Sequence, residues 1–397
     1  MKILQIHNFY RTPGGECGVV EAEKELLEAH GHTVFRFVAH SLEIETMTLA
    51  AKGMAFLQVP YNLQSARRLG IFIGTHQPDV AHVHNVFPLL SPSVYAVCKR
   101  YSVPVVQTVH NFRFMCPNGL LFTKGEICEA CLQQGFMAAV KNRCMHDSLP
   151  ISALYAAAIA LARGTGNVLH NIDRYIALTG FVRDKLVAGG VPREKIRVCG
   201  NFIDRFSEAP TRKGNYALYI GRLSPEKGLE TLLSAFRRVP DLTLKIAGSG
   251  PMEAALKQYV NENTMYNVEF IGFATGGAKQ RLIEEALCTI LPSECYENFP
   301  MSVMESLACG TPVIASRIGG LPEMIEHNKT GLLFSPGDDE GLVECIRNIL
   351  AYANFAKKMA TQALEMAREH FGPERHLAEL LKIFEEARST RAGKPAQ

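Results

Sequence analysis

The chain has 397 residues, 47% of them hydrophobic and 20% charged, with 42 Lys and Arg against 39 Asp and Glu. With mean hydropathy near zero, this composition excludes a disordered, collagenous or coiled-coil chain, and the length predicts two or three domains at about 150 residues each. A formal charge of +3 is too small to mark a nucleic-acid binder, so no nucleic-acid partner is expected.

The opening MKILQIHNFY has one Lys, then an apolar run broken by His7 and Asn8 with no small-residue cleavage site, so it reads as a buried first strand and not as a signal peptide. Further strands are predicted at Thr33–Val38, Val80–His84, Val103–His110, Arg174–Leu178 and Ile196–Cys199. A second set follows at Tyr216–Ile220, Leu242–Ala247, Val268–Ile271, Cys288–Leu291, Pro312–Ser316 and Gly331–Phe334. Short β-branched runs alternating with longer amphipathic ones are the pattern of βα units around parallel sheets, and six in each half predict two similar α/β domains. The longest apolar run, Ile151–Ala162, falls short of the roughly 20 residues a membrane-spanning helix needs. Eleven cysteines, an odd number, without a secretory signal point to reduced or metal-bound thiols and a cytoplasmic location.

The polar stretch NFIDRFSEAPTRKGN, residues 201–215, precedes a fresh strand and reads as a hinge. The expected division is therefore a first domain over 1–200 with a Cys-rich insertion at 116–144, a second over 216–370, and a C-terminal helix with a frayed tail over 371–397. On that helix Leu377, Leu380, Leu381 and Phe384 recur at helical spacing, so it must pack on something.

Several loops carry residues suited to chemistry. PSECYENFPMSVME, residues 292–305, follows a strand and runs into a helix near Pro300. Glu297 then stands at the carboxyl end of a parallel strand, where α/β sheets bind ligands, and Glu305 lies more than a turn into the helix. Carboxylates there suit sugar hydroxyls, donors that a carboxylate can accept in pairs. On spacing alone both remain equally readable as surface glutamates at a helix start.

GRLSPEKG, residues 221–228, places Arg222 and Lys227 on one short loop beside a helix start, where cations and helix dipole together address a phosphate. Solvated surface cations are the competing reading. Pro13–Gly14–Gly15 before an acidic helix (Glu16, Glu21, Glu23, Glu25) favours close ligand approach, or is a simple tight turn. His82, His84 and His110 end or line strands of the first domain, where an imidazole donates to a hydroxyl or serves structurally.

Cys116, Cys128, Cys131 and Cys144 have the spacing C-x11-C-x2-C-x12-C, which supplies four thiolates for a structural zinc or leaves free or redox thiols. No D-x-D pair follows a strand and no G-x-G-x-x-G, G-x-x-x-x-G-K or G-x-S-x-G occurs at these turns, so metal-held phosphate, dinucleotide, P-loop and acyl chemistry are not indicated.

With E-x7-E from Glu297 to Glu305, GRLSPEKG, IAGSGP, ESLACGTPVIAS, DVAHVHN, PVVQTVHN and GGLPEMIEHNKTGLLFSPGD, the chain resembles the retaining glycosyltransferases of family 4, over nearly its whole length. The resemblance implies a GT-B fold, two Rossmann-like domains facing each other across a cleft, with a nucleotide-sugar donor held mainly by the second. It implies that Arg222 and Lys227 bind the diphosphate, Glu305 the ribose and Glu297 the donor sugar, with Phe299 and Met301 lining the pocket and Gly248 and Gly250 near the base. It also implies that Gly15 approaches the diphosphate and that His110 contacts the donor sugar near the reacting centre. Pro300 stands where many members have Gly, which removes one backbone donor.

The implied chemistry is transfer with retention by front-face substitution and no catalytic metal, with closure about 201–215 excluding water. A UDP-sugar is the first expectation for the donor and a GDP-sugar the next. The acceptor expected by analogy is a saccharide or lipid-linked saccharide of a surface polysaccharide, with peripheral contact at the inner face of the membrane through Met54–Phe72. A nucleotide-sugar epimerase or hydrolase and a non-catalytic binding subunit are the alternatives.

Overall fold

The computed structural model describes residues 1–11, 14–208 and 214–392. Pro13, the middle of the expected hinge (209–213) and the tail 393–397 lie outside the described residues. The chain divides into two compact units: Met1–Thr123, Cys128–Gly200 and Glu374–Gln397 form the first, Lys124–Ile127 and Asn201–Pro373 the second.

The first unit is built on six parallel strands, β1 (Lys2–Phe9), β2 (Thr33–His40), β3 (Val80–Val83), β4 (Val105–Val109), β5 (Arg174–Ala177) and β6 (Ile196–Val198). Their order is β2-β1-β3-β4-β5-β6. Strands β3 and β4 are buried at every position, as strands covered by helices on both faces must be, which is why their sequences run apolar without alternation. On one side Ile3, Val80, Val106 and Ile176 pack against Leu27 and against Leu377, Leu380, Ile383, Phe384 and Ala387 of the helix Pro373–Ala392. The apolar stripe read from the sequence is thus buried on the first unit's sheet, and Arg174 and Arg197 pin its far end through Glu386 at 3.2 and 2.7 Å.

The second unit repeats the plan with β7 (Tyr216–Ile220), β8 (Thr243–Ala247), β9 (Val268–Gly272), β10 (Cys288–Leu291), β11 (Val313–Ser316) and β12 (Gly331–Phe334), in the order β9-β8-β7-β10-β11-β12. Its interior is continuous apolar packing around Tyr219, Leu232, Phe236, Leu244, Ile246, Ile290, Ile314 and Ile346. Residues 201–208, expected as hinge, are tied into this unit. The amides of Ile203 and Ser207 donate to the carbonyls of Phe371 and Ala308 at 2.9 and 3.0 Å, and Arg368 donates to the carbonyl of Ser207 at 2.7 Å.

In both sheets the strand order reverses beside the first strand: between β1 and β3 in one, where β1 is next to the edge strand β2, and between β7 and β10 in the other. Loops leaving the carboxyl ends of such a strand pair diverge and open a crevice, the usual ligand position of an open α/β sheet.

Candidate functional site

In the second unit the loops after β7 and β10 meet at that crevice. Gly228 ends a turn of 3-10 helix at Pro225–Lys227 and opens the helix Leu229–Phe236, at φ 66°. A Cβ there would sit 1.9 Å from the carbonyl oxygen of Pro292, so only glycine lets the two loops touch. The amides of Glu294 and Cys295 donate to the carbonyl of Glu226 at 3.0 and 3.3 Å, and Thr231 Oγ1 donates to Glu294 Oε1 at 2.8 Å. The two loops named from the sequence are one structure.

Across this junction Lys227 Nζ donates to Glu297 Oε1 at 2.6 Å, and Ser293 Oγ donates to the same oxygen at 2.5 Å. Burial works against the Lys227 charge, yet the Glu297 carboxylate beside it holds its pKa above the usual lysine range. Burial and the Glu297 carboxylate push the Cys295 thiol up to about 12, so it is a neutral packing residue here. Arg222, on the same loop, is exposed. Gly319, in the turn after β11, lies so close that a Cβ on it would meet the backbone of Glu297 at 2.4 Å, and the Gly320 amide donates to the Glu297 carbonyl at 2.7 Å. Glu297 is therefore fixed by a side-chain cation, a hydroxyl and a neighbouring loop.

Pro300 is the cap residue of the helix Met301–Ala308, in extended conformation, which suits its missing N–H. Phe299 packs edge-on against Phe371, ring centres 5.6 Å apart, and Asn201 Nδ2 approaches Met301 Sδ at 3.9 Å. Glu305 is paired with Lys279, whose Nζ donates to Oε1 at 2.7 Å from the helix Gly276–Glu285. Gly248 and Gly250 follow β8, where a Cβ would strike the Gly221 carbonyl at 1.9 Å or the Leu223 carbonyl at 2.3 Å. Both glycines thus pack the β8 loop onto the loop that carries Arg222 and Lys227. Lys279 and Ser293 were not anticipated from the sequence. Ser293 follows β10 directly and was within reach of that reasoning, whereas nothing in the spacing marks Lys279.

In the first unit Gly15 starts the helix Gly15–Ala29 after Gly14, whose backbone is extended and which supplies no side-chain cap. His110 follows β4, and its Nε2 lies 3.0 Å from His84 Nδ1, the rings stacked at 5.3 Å. His82 and His84 are buried, with His82 Nε2 2.8 Å from Thr108 Oγ1. Burial lowers both, His82 to about 4, the Glu23 carboxylate only partly offsetting this. Glu23, on the acidic first helix, is 2% exposed. Burial would raise its pKa, but His82 and His376 outweigh it and hold the carboxyl below its usual range. His376 Nε2 lies 3.1 Å from Glu23 Oε1.

The insertion brings Cys116 and Cys131 into thiol–thiol contact, Cys131 pushed up and Cys116 held down by the shared hydrogen bond, while Cys144 acts on Cys131 through its charge. Among the described residues the four cysteine sulfurs do not gather as mutually close ligand atoms; the set that does is Glu23, His82 and His84.

Two family models match consecutive parts of the chain, "Glycosyltransferase Family 4" over residues 18–205 and "Glycosyl transferases group 1" over residues 201–366. A glycogen synthase of Mycobacterium tuberculosis is 28% identical over 306 residues, 74% of this chain and 66% of that protein. The chain spans two thirds or less of the curated relatives it matches, from that 66% down to 42%. Among solved structures, sucrose-phosphate synthase from Thermosynechococcus elongatus superposes with a TM-score of 0.72 at 19% identity, covering 98% of this chain and all of that one. An Anabaena protein, HepE, in complex with UDP and glucose gives 0.66 at 19% identity, covering 96% and 99%.

Proposed function

The chain belongs to the glycosyltransferases of GT-B fold described by these two family models, and we propose that it transfers a sugar from a nucleotide-sugar donor to a saccharide or lipid-linked saccharide acceptor with retention at the anomeric carbon. The observation that carries this reading is the Lys227–Glu297 pair at the point where the second sheet reverses its strand order. A fixed cation and a fixed carboxylate in one crevice match a diphosphate on one side and sugar hydroxyls on the other.

Lys227 and Arg222 take the diphosphate, and Glu297 accepts from hydroxyls of the donor sugar. Glu305 accepts from the ribose once Lys279 yields or shares it, and Gly248 and Gly250 leave room beside the base. Phe299 and Met301 line the same pocket, and in the first unit Gly15 and His110 are the proposed contributors. As the bond from the anomeric carbon to the phosphate oxygen breaks, negative charge grows on the diphosphate, and two cations aimed there supply the stabilisation that is often largest in catalysis. The acceptor oxygen bonds to the same face of that carbon and gives its proton to the departing phosphate oxygen. No metal takes part in these steps.

That HepE is recorded with UDP and glucose supports a UDP-sugar as the first donor to try. Exposed Leu49, Met54, Leu57, Leu63 and Ile71, on the helices Leu49–Leu57 and Leu63–His76 beside Arg67 and Arg68, support peripheral contact with a lipid surface bearing the acceptor. No helix among the described residues is long and apolar enough to cross a membrane. Calorimetry with UDP, GDP and ADP, alone and as sugar conjugates, on the wild type and on Glu305→Ala, tests the reading. Selective binding of one nucleotide that weakens in the variant is expected, and no binding to any of them, with or without acceptor, overturns it.

A further inference from the structure

Glu23 lies about 60 residues before His82 and His84 in sequence, yet the three meet inside the first unit, each at most 5% exposed. Glu23 Oε2 lies 3.5 Å from His82 Nδ1 and 3.3 Å from His84 Nε2. All three of these atoms are buried and make no hydrogen bond. Buried polar atoms without partners are costly and rare, and three that face one another call for a physical cause.

Each of the three side chains is held from behind. His82 turns its other nitrogen to Thr108 Oγ1 at 2.8 Å, His84 turns its other nitrogen to His110 Nε2 at 3.0 Å, and Glu23 turns its other oxygen to His376 Nε2 at 3.1 Å. Orienting contacts on the remote atom of every ligand are the usual second layer of a metal centre. The spacing agrees: ligands at about 2.0–2.1 Å from a tetrahedral zinc lie about 3.3 Å from one another, against the observed 3.3 and 3.5 Å.

We propose that Glu23, His82 and His84 bind a zinc ion buried in the first unit. Two imidazoles and a carboxylate are a donor set zinc accepts readily. Zinc on His82 Nδ1 leaves the proton on Nε2, where it donates to Thr108; zinc on His84 Nε2 leaves the proton on Nδ1, where it donates to His110. The ion satisfies the three unpartnered atoms together and ties the helix Gly15–Ala29 to β3 and, through His376, to the C-terminal helix. Its role is structural, and its ligands are distinct from Cys116, Cys128, Cys131 and Cys144.

The test uses the untagged full chain, stripped with a chelator and reloaded with zinc or cobalt(II) alone. Zinc is expected to raise the melting temperature and to bind with one equivalent that survives Cys128→Ser and Cys131→Ser but is lost, with affinity down at least about tenfold, in Glu23→Gln and His84→Gln. Cobalt in the wild type is expected to give the visible bands of a nitrogen and oxygen site without a strong sulfur charge-transfer band. Undiminished zinc binding in folded Glu23→Gln, or a wild type that takes up no cobalt or only sulfur-bound cobalt, overturns the proposal. The wild-type spectrum decides even where the variants fail to fold.

Discussion

In the second unit Lys227 and Glu297 stand on loops, the lysine side chain 22% exposed, and pair across 2.6 Å at the carboxyl ends of adjacent strands. In the first, Glu23, His82 and His84 lie inside the layer between sheet and helices with almost no access to solvent. The same parallel-sheet plan produces both, because a parallel sheet buries what its strands carry and exposes what its following loops carry. Side chains on such loops are available to ligands that come and go. Side chains in the interior suit partners acquired once, on folding.

Breaking the ion pair should give the largest effect. Lys227→Ala is expected to cut transfer about a hundred- to a thousandfold, the scale of losing a positioned donor at developing charge, with circular dichroism showing the fold intact. Unchanged turnover would remove Lys227 from the diphosphate site and leave the pair structural. The pair also sets a pH expectation. Lys227 has its pKa raised above the usual lysine range, so its charge and the stability it adds are complete below about pH 10.4 and are lost only as pH rises through the raised value. Nucleotide affinity measured between roughly pH 6 and 9 should show no step attributable to Lys227.

Next in size is the backbone contact that builds the junction. Gly228→Ala puts a Cβ 1.9 Å from the Pro292 carbonyl oxygen at a φ of 66°, and the loops must separate. A loss of about 3 kcal/mol or more in urea unfolding is expected, through overpacking and backbone strain together. An equally stable Gly228→Ala would show that the two loops are less tightly bound to each other than the hydrogen bonds of Glu294 and Cys295 imply.

Smaller again is Glu305→Ala, which removes one acceptor that Lys279 already occupies. Nucleotide binding should weaken about tenfold, or about 1.4 kcal/mol, the scale of a hydrogen bond to a charged group. Lys279→Ala distinguishes the two possible duties of that lysine, since tighter binding would make it a competitor for Glu305 and weaker binding a partner of the ligand.

How far the sequence discloses these features follows from where they sit. All twelve strands of the two six-stranded sheets are visible as short apolar or β-branched runs, with ends shifted by at most two residues: Val103–His110 shortens to Val105–Val109, β4 ending where its ladder with β5 ends. Pro300 and Asp338 mark helix starts through local chemistry, the latter with its side chain accepting from the Gly341 amide at 2.9 Å. Glu297 and Lys227 are legible because each follows a recognisable strand within a few residues. Glu23 is not, since nothing in the acidic run Glu16, Glu21, Glu23, Glu25 singles it out, and only the three-dimensional arrival of His82, His84 and His376 reveals where its carboxylate points. Lys279 is hidden for the same reason, its partner lying 26 residues away on another helix.

The smallest effects on stability belong to the first unit's surface. Leu49 is 87% exposed and Leu57 67%, so neither contributes packing that folding would miss. Leu49→Ser with Leu57→Ser should therefore leave stability within about 0.5 kcal/mol of wild type at each position. Binding to anionic vesicles, by contrast, should fall severalfold, because insertion of an apolar helix face scales with the apolar area it buries while Arg67 and Arg68 supply only the electrostatic share. Vesicle binding that is unaffected by these changes, or that vanishes in high salt alone, would assign the contact to charge and leave the exposed leucines without a part in it.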